Sequence, residues 1–263
     1  MDRPVAVITG AARGIGAAVA TTLATMGWDL VLGDVDAPDA VPGLSYPLSD
    51  QDDLAAVVAT CESQGARARA QACDVRSGEQ VRDLVAVAGD RLRAAIAVAG
   101  LIAADGLAWE LTTDDLERDL SVNYHGVVNL ARAAIPGFLA SQEPKLCRFV
   151  AVVSAAAQRG LPRLASYVAA KHAALGYVCS LAADLAPHGA TANAVLPGST
   201  RTHLLHRTAE AYGMRSAEHF ALNQRIGRLL DPVEVASAVS WLVSPQASGI
   251  TGTYVKVDGG FTG

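Results

Sequence analysis

The sequence predicts an α/β fold of one domain, residues 1–263, built on a doubly wound parallel sheet of seven strands. Three observations carry this expectation. Short apolar runs of strand length alternate with longer segments of helical periodicity along the whole chain. The runs are apolar throughout, as strands covered on both faces must be. No linker, internal repeat or low-complexity tract divides a chain that is 51% hydrophobic and 18% charged, enough to fill one large core.

The elements follow in order. Strands are expected at 5–10 (VAVITG), 30–34 (LVLGD), 68–74 (ARAQACD), 95–100 (AIAVAG), 149–154 (FVAVVS), 191–198 (TANAVLPG) and 254–260 (YVKVDGG). Helices are expected at 14–26, 51–63, 78–89, 112–140, 163–186 and 232–243, several opened by a Ser, Thr or Asp cap. Two stretches stand outside the alternation. Residues 35–50, with Pro38, Pro42 and Pro47, lengthen the connection after the second strand well beyond an ordinary loop. Residues 200–228 are amphipathic and mostly helical, and they begin just past the C-terminal end of a strand, where substrate lids occur.

Composition narrows the function. A net charge of -5 and a pI near 5.6 leave no basic stripe for a phosphate backbone, so nucleic acid is not an expected partner. Met1 leads directly into RPVAVITG with no signal-type segment, and the longest apolar run, AAIAVAGLIAA, is about half a membrane span. The expectation is a soluble, cytoplasmic protein with no membrane partner. Cys61, Cys73, Cys147 and Cys179 lack C-x-x-C spacing and read as small buried apolar residues, without a disulfide. His203 and His206 are spaced i, i+3, but no third ligand completes a zinc set, and no metal is expected. His172 points about 100° around the helix from Lys171 and reads as a packing or interface residue.

The first chemical signal is TGAARGIG, between the first strand and its helix. Gly10, Gly14 and Gly16 allow a tight turn that brings backbone N–H groups and a helix N-terminus up to a pyrophosphate, with Arg13 and Ile15 between them. Asp34 ends the next strand about twenty residues on, as a ribose-binding carboxylate would. A carboxylate there repels a 2'-phosphate, which favours NAD over NADP, while Arg13 pulls mildly the other way. No Gly-Lys-Ser/Thr follows, which excludes a P-loop.

The second signal is SYVAAKHAAL, which places Tyr167 and Lys171 on one helix face. The chain has only three lysines against eighteen arginines, so a lysine beside a tyrosine on an apolar face asks for a reason. Bringing a phenol from pKa ~10 to neutrality takes roughly 4 kcal/mol, and a cation at about 4 Å in an effective dielectric near 20 supplies about that much.

Taken together, the glycine order G-x-x-x-G-x-G, then Asn123, Ser154, Tyr167 and Lys171, resemble the classical short-chain dehydrogenase/reductase family over essentially the whole chain. The resemblance implies a Rossmann-type fold and a homotetramer. By it, Tyr167 is the general acid/base, Ser154 holds the substrate oxygen, Lys171 binds the nicotinamide ribose and lowers the tyrosine pKa, and Asn123 anchors a water in the proton relay. Pro197, Gly198, Thr200 and Thr202 of LPGSTRT would lie along the nicotinamide, Asp74 and Val75 near the adenine, and Ala99 and Gly100 against the cofactor. One departure is AVAG, Ala97 to Gly100, where the family has Asn-Asn-Ala-Gly; its side-chain hydrogen bonds are lost and scaffold packing must compensate. The 35–50 insertion, YPLSDQDDLAAVVATC, SYVAAKHAAL and the ending VDGGFTG resemble the mycofactocin-associated branch. That implies an NAD held beneath the extra loop and mycofactocin as electron carrier.

The expected activity is an NAD-dependent oxidoreductase interconverting an alcohol and a carbonyl. An ordinary family member with exchangeable NAD(P), or a nucleotide-binding protein without catalysis, are the alternatives. Leu204, Leu205 and Tyr212 either line the substrate or pack the lid, and HLL with AYG points to an aliphatic or terpenoid secondary alcohol.

Overall fold

A computed structural model describes residues 3–44 and 46–263. Its core is a seven-stranded sheet in the order β3-β2-β1-β4-β5-β6-β7 with every pairing parallel. The strands are β1 (Val5–Thr9), β2 (Asp29–Asp34), β3 (Ala68–Ala72), β4 (Leu92–Ala97), β5 (Arg148–Val152), β6 (Thr191–Pro197) and β7 (Tyr254–Val257). Along β1 the side chains alternate between two cores: Val5 and Val7 face one, Ala6 and Ile8 the other. Each core is closed by helices. Helices α1 (Gly14–Thr25), α2 (Gln51–Ser63) and α8 (Pro232–Val243) cover one face, and α3 (Gly78–Ala86), α5 (His125–Ala140) and α6 (Ala165–Leu185) the other. The chain winds outward from β1 in both directions, so the crevice between β1 and β4, beyond their C-terminal ends, is the topological switch point where ligands of such sheets bind.

Two element boundaries and one burial reading depart most from expectation. The long helix expected over 112–140 is two helices, α4 (Thr113–Asn123) and α5, parted at Tyr124, whose φ of -114° leaves the helical range. Both helices keep an apolar face, so periodicity alone does not reveal a one-residue break. The fourth strand starts at Leu92 rather than at 95, because Arg91 and Arg93 disguise a segment that pairs with β1 from Val5 onward. The cysteines are not uniformly buried: Cys61, Cys73 and Cys147 are, while Cys179 is half-buried.

The two unusual stretches have distinct structures. The described residues of 35–50 form neither helix nor strand, yet are held by Leu48 N–H to Pro38 O at 2.9 Å and by Arg76 to Ala40 O at 2.7 Å. Val41 and Tyr46 are buried against the main core; Ser45 lies outside the described residues. Residues 200–228 contain α7 (His203–Ala211) and a 3-10 turn at Ala217–Asn223, packed around Phe220, Ala209 and Leu229. Among the described residues, no helix is long and apolar enough to cross a membrane.

Candidate active site

One continuous cavity of about 880 Å³ runs along the C-terminal edge of the sheet, from Asp34, Asp74 and Val75, across the glycine turn, to Ser154 and Tyr167 beneath α7. The turn between β1 and α1 must be glycine for steric reasons. Gly10 and Gly14 have φ of 69° and 53°. A Cβ on Gly10 would stand 2.5 Å from the Ala99 backbone, and one on Gly16 would stand 1.9 Å from Gly10 O. A Cβ on Gly14 would meet the Thr202 methyl at 3.1 Å, so the start of the lid rests on the turn itself. Thr202 also caps α7 through Leu205 N–H.

At the end of β2, Asp34 is gripped by three donors. Ala12 N–H donates to Oδ2 at 2.8 Å, and Val35 N–H and the Ser49 hydroxyl donate to Oδ1 at 2.8 and 2.7 Å. Burial still raises its pKa, against these bonds. Arg13 lines the cavity but is committed elsewhere: its Nε donates to Asp53 Oδ2 at 2.8 Å. Asp74 is held by Arg76, whose Nη2 lies 2.6 Å from Oδ2, and the same Nη2 donates to Ala40 O in the insertion. Val75 seats against Gly126, where a Cβ would fall 2.7 Å from Val75 Cγ2.

At the other end, α6 carries Tyr167 and Lys171, both buried, with Nζ 5.6 Å from the phenol ring centroid. Ser154, just past β5, accepts from Ala156 N–H at 3.0 Å and hydrogen-bonds the Tyr167 phenol. Asn123 closes the group: a Cβ on Gly100 would lie 3.0 Å from Asn123 Oδ1 and 3.2 Å from Lys171 Nζ. The same Asn123 also holds the segment that follows AVAG. Its Nδ2 donates to Leu101 O at 2.8 Å and its Oδ1 accepts from Leu101 N–H at 3.2 Å, clamping the loop after β4.

Burial acts on both members of the Tyr167–Lys171 pair. Burial pushes the Tyr167 phenol up to about 12, in spite of the Ser154 hydrogen bond, and pushes Lys171 down to about 8. The physical reason is that the desolvation which disfavours the phenolate also disfavours the ammonium meant to stabilise it.

Several groups along the cleft are visible only in three dimensions. Tyr46, in the 35–50 segment, lines the cavity and also reaches the lid. Its hydroxyl accepts from Ile102 N–H at 3.1 Å, the Arg207 guanidinium lies 4.9 Å from its ring centroid, and the His203 ring is 6.0 Å away. Leu48 lines the cavity with Ser49. Leu204, Leu205 and Tyr212 line it too, and Tyr212 donates to Pro162 O at 2.7 Å. His206 borders a smaller pocket outside the lid, and His172 is exposed on α6. Pro197, Gly198, Thr200 and Thr202 form the floor; Gly198 is pinned by Val257 O at 2.9 Å, and a Cβ there would collide with Asp258. Sequence reasoning missed Asp119, fully buried one turn before Asn123. Its i, i+4 spacing from Asn123 on a buried face was the available signal.

A family model described as "Enoyl-(Acyl carrier protein) reductase" matches residues 10–262. The chain belongs to the short-chain dehydrogenase/reductase family. Among short-chain dehydrogenase/reductase relatives, the (-)-trans-carveol dehydrogenase of Rhodococcus erythropolis is 32% identical, with 100% of this chain and 98% of that protein covered. A carveol dehydrogenase from Mycobacterium avium, solved in complex with NAD, superposes with a TM-score of 0.91 at 26% identity, covering 98% of this chain and 97% of that one. An actinorhodin polyketide ketoreductase solved with NADPH superposes at 0.87 with 27% identity, covering 99% and 97%. This short-chain dehydrogenase/reductase is thus an NAD(P)-dependent oxidoreductase. Its own residues fit a nicotinamide dinucleotide: the cradle at Gly10 and Gly16 is one that a single Cβ would fill, and an acidic residue stands at the end of β2.

Proposed function

We propose that this enzyme is an NAD-dependent alcohol dehydrogenase or carbonyl reductase acting on an apolar secondary alcohol of terpenoid size. The observation that carries the reading is the meeting of Ser154, Tyr167, Lys171 and Asn123 at one end of a cavity whose other end is the glycine turn and Asp34. NAD is preferred over NADP because Asp34 is fixed as an acceptor for ribose hydroxyls, while Arg13, the residue that could pair with a 2'-phosphate, is tied to Asp53. Leu161, Leu164, Leu204, Leu205, Met214 and Phe220 give the substrate end its apolar character.

In the oxidative direction Ser154 donates a hydrogen bond to the substrate oxygen, and the Tyr167 phenolate takes the hydroxyl proton. A nicotinamide dinucleotide held by the glycine turn, Asp34 and Lys171 would supply the hydride acceptor for the carbinol carbon. Lys171 holds a ribose hydroxyl and favours the phenolate by its charge, and Asn123 positions a water on the path by which the proton leaves. In the reductive direction the same phenol donates its proton to the carbonyl oxygen.

The reading extends to cofactor handling. Residues 35–50 cover the cofactor, and 200–228 act as the lid. With Val41, Pro47, Leu48 and Ser49 along the cavity and Tyr46 fastened to α7, NAD stays bound between turnovers and mycofactocin receives its electrons. The enzyme is read as cytoplasmic, and as a homotetramer on its family resemblance. The test is the 260/280 nm absorbance ratio and extracted nucleotide of purified protein, then absorbance at 340 nm after adding carveol. One equivalent of reduction, with continued turnover only when an artificial acceptor is present, is the expected result. Nucleotide-free protein that turns over freely on added NAD would make it an ordinary exchanging dehydrogenase. Bound nucleotide that no secondary alcohol or ketone alters would make it a binder.

A further inference from the structure

Asp119 is a carboxylate that the reaction does not use directly, yet it is withdrawn completely from solvent. Its Oδ2 accepts from the Ser166 hydroxyl at 2.6 Å, and Ser166 immediately precedes Tyr167. Its Oδ1 accepts from Ala103 N–H at 3.1 Å, in the loop after β4. Asn123 Nδ2, one turn on, donates to the Asp119 carbonyl at 3.0 Å and stands 3.4 Å from Oδ1. One side chain therefore joins α4, the β4 loop and α6 at the point where the candidate acid/base is held.

Burying an ionisable group is costly, and burial raises the pKa of Asp119 in spite of the bonds from Ser166 and Ala103, whereas an amide would tie the same segments together at lower cost, so a carboxyl here calls for a role. The titratable groups facing it are Lys171 and Tyr167 on α6 and Tyr46 from the insertion. On its own helix Arg118 and Asp115 pair with each other. The cation whose charge acts on Asp119 is the buried Lys171, and the carboxylate in turn favours the ammonium form of that lysine.

We propose that Asp119 is a positioning residue of this active site, a buried anion that fixes the approach of α6 to the β4 loop and sets the protonation of the Tyr167–Lys171 pair. The proposal rests on the reading of Tyr167 as proton acceptor. The sign of its effect does not depend on which member of the pair titrates first. An anion nearby makes every proton loss harder, holding Lys171 as ammonium and Tyr167 as phenol; removing it makes each loss easier.

The experiment is the pH dependence of NAD reduction by carveol, followed at 340 nm as a single turnover. In Asp119→Asn the alkaline-rising limb should move to lower pH by about one unit. Asp119→Ser, smaller and still able to bond Ser166, should move it in the same direction and serves if the Asn variant does not fold. Asp119→Glu should restore the limb, and Ser166→Ala, which keeps the carboxyl but loses a bond that favours its ionised form, should move the limb less than Asp119→Asn does. Circular dichroism and nucleotide content establish that each variant is folded. Folded Asn and Ser variants with limbs at the wild-type position would overturn the proposal and reduce Asp119 to a structural staple. Failure of the underlying reading looks different: wild-type protein would give no carveol-dependent reduction, or Tyr167→Phe would keep the wild-type rate and limb.

Discussion

Tyr46 offers the sharpest test of how the insertion works. Its hydroxyl is the partner of Ile102 N–H, and its ring is buried beneath Arg207 beside His203. Tyr46→Phe keeps the ring and leaves a half-buried N–H without this acceptor, a cost of at most about 1–3 kcal/mol. If residues 35–50 hold the cofactor only when closed, that cost falls on the closed state, and bound nucleotide should leave about 10- to 100-fold faster. Tyr46→Ala also removes a ring that is only 9% exposed, worth about 3–5 kcal/mol for a buried aromatic. That exceeds what a short loop gains by closing, so the variant should exchange NAD like an open enzyme. The assay mixes loaded protein with excess fluorescent etheno-NAD and follows replacement, with melting temperature as the check on the fold. Folded Phe and Ala variants that release nucleotide at the wild-type rate would refute the clasp and leave the segment as a surface excursion.

Other consequences are equally direct. Tyr167→Phe should lower turnover by about 10² to 10⁴ with NAD content nearly unchanged, measured as single-turnover reduction against extracted nucleotide. Because burial holds the phenol up to about 12, alcohol oxidation should climb with pH through the alkaline range, whereas carbonyl reduction, which uses the protonated form, should hold across neutrality; pH–rate profiles in both directions check this. Asp34→Ser should weaken NAD and admit NADP, read by competition binding to stripped protein; wild type preferring NADP would reverse the assignment. Asp29, at the start of β2, would be raised by burial, but Arg91 and Arg67 outweigh that and hold it below the usual carboxylate range. Its contribution is therefore present above pH ~4 and lost as pH falls through the lower folded value. Asp29→Asn should cost about 1–2 kcal/mol at neutral pH, since both arginines are partly solvated, and flatten the acid limb of melting temperature against pH.

Much of this protein was legible in its sequence, because the determining physics is local. A strand buried on both faces has to be apolar throughout, a helix has to repeat its apolar face every 3.6 residues, and a turn with positive φ and no room for a Cβ has to be glycine. VAVITG, the Asp50 and Thr112 caps and Gly10 to Gly16 therefore announce themselves. Tyr167 and Lys171 were readable for the same reason, since i, i+4 on one helix fixes their common face. What the tertiary structure decided is everything that depends on distance between remote segments. No local pattern says that Tyr124 parts two helices, that Arg13 turns to Asp53, or that Tyr46 crosses to Arg207. Nor does one say that Ser166 meets Asp119. Desolvation is likewise a property of the assembled cavity. The sequence places a cation beside a phenol, but only the packing around both determines that burial raises the phenol and lowers the ammonium.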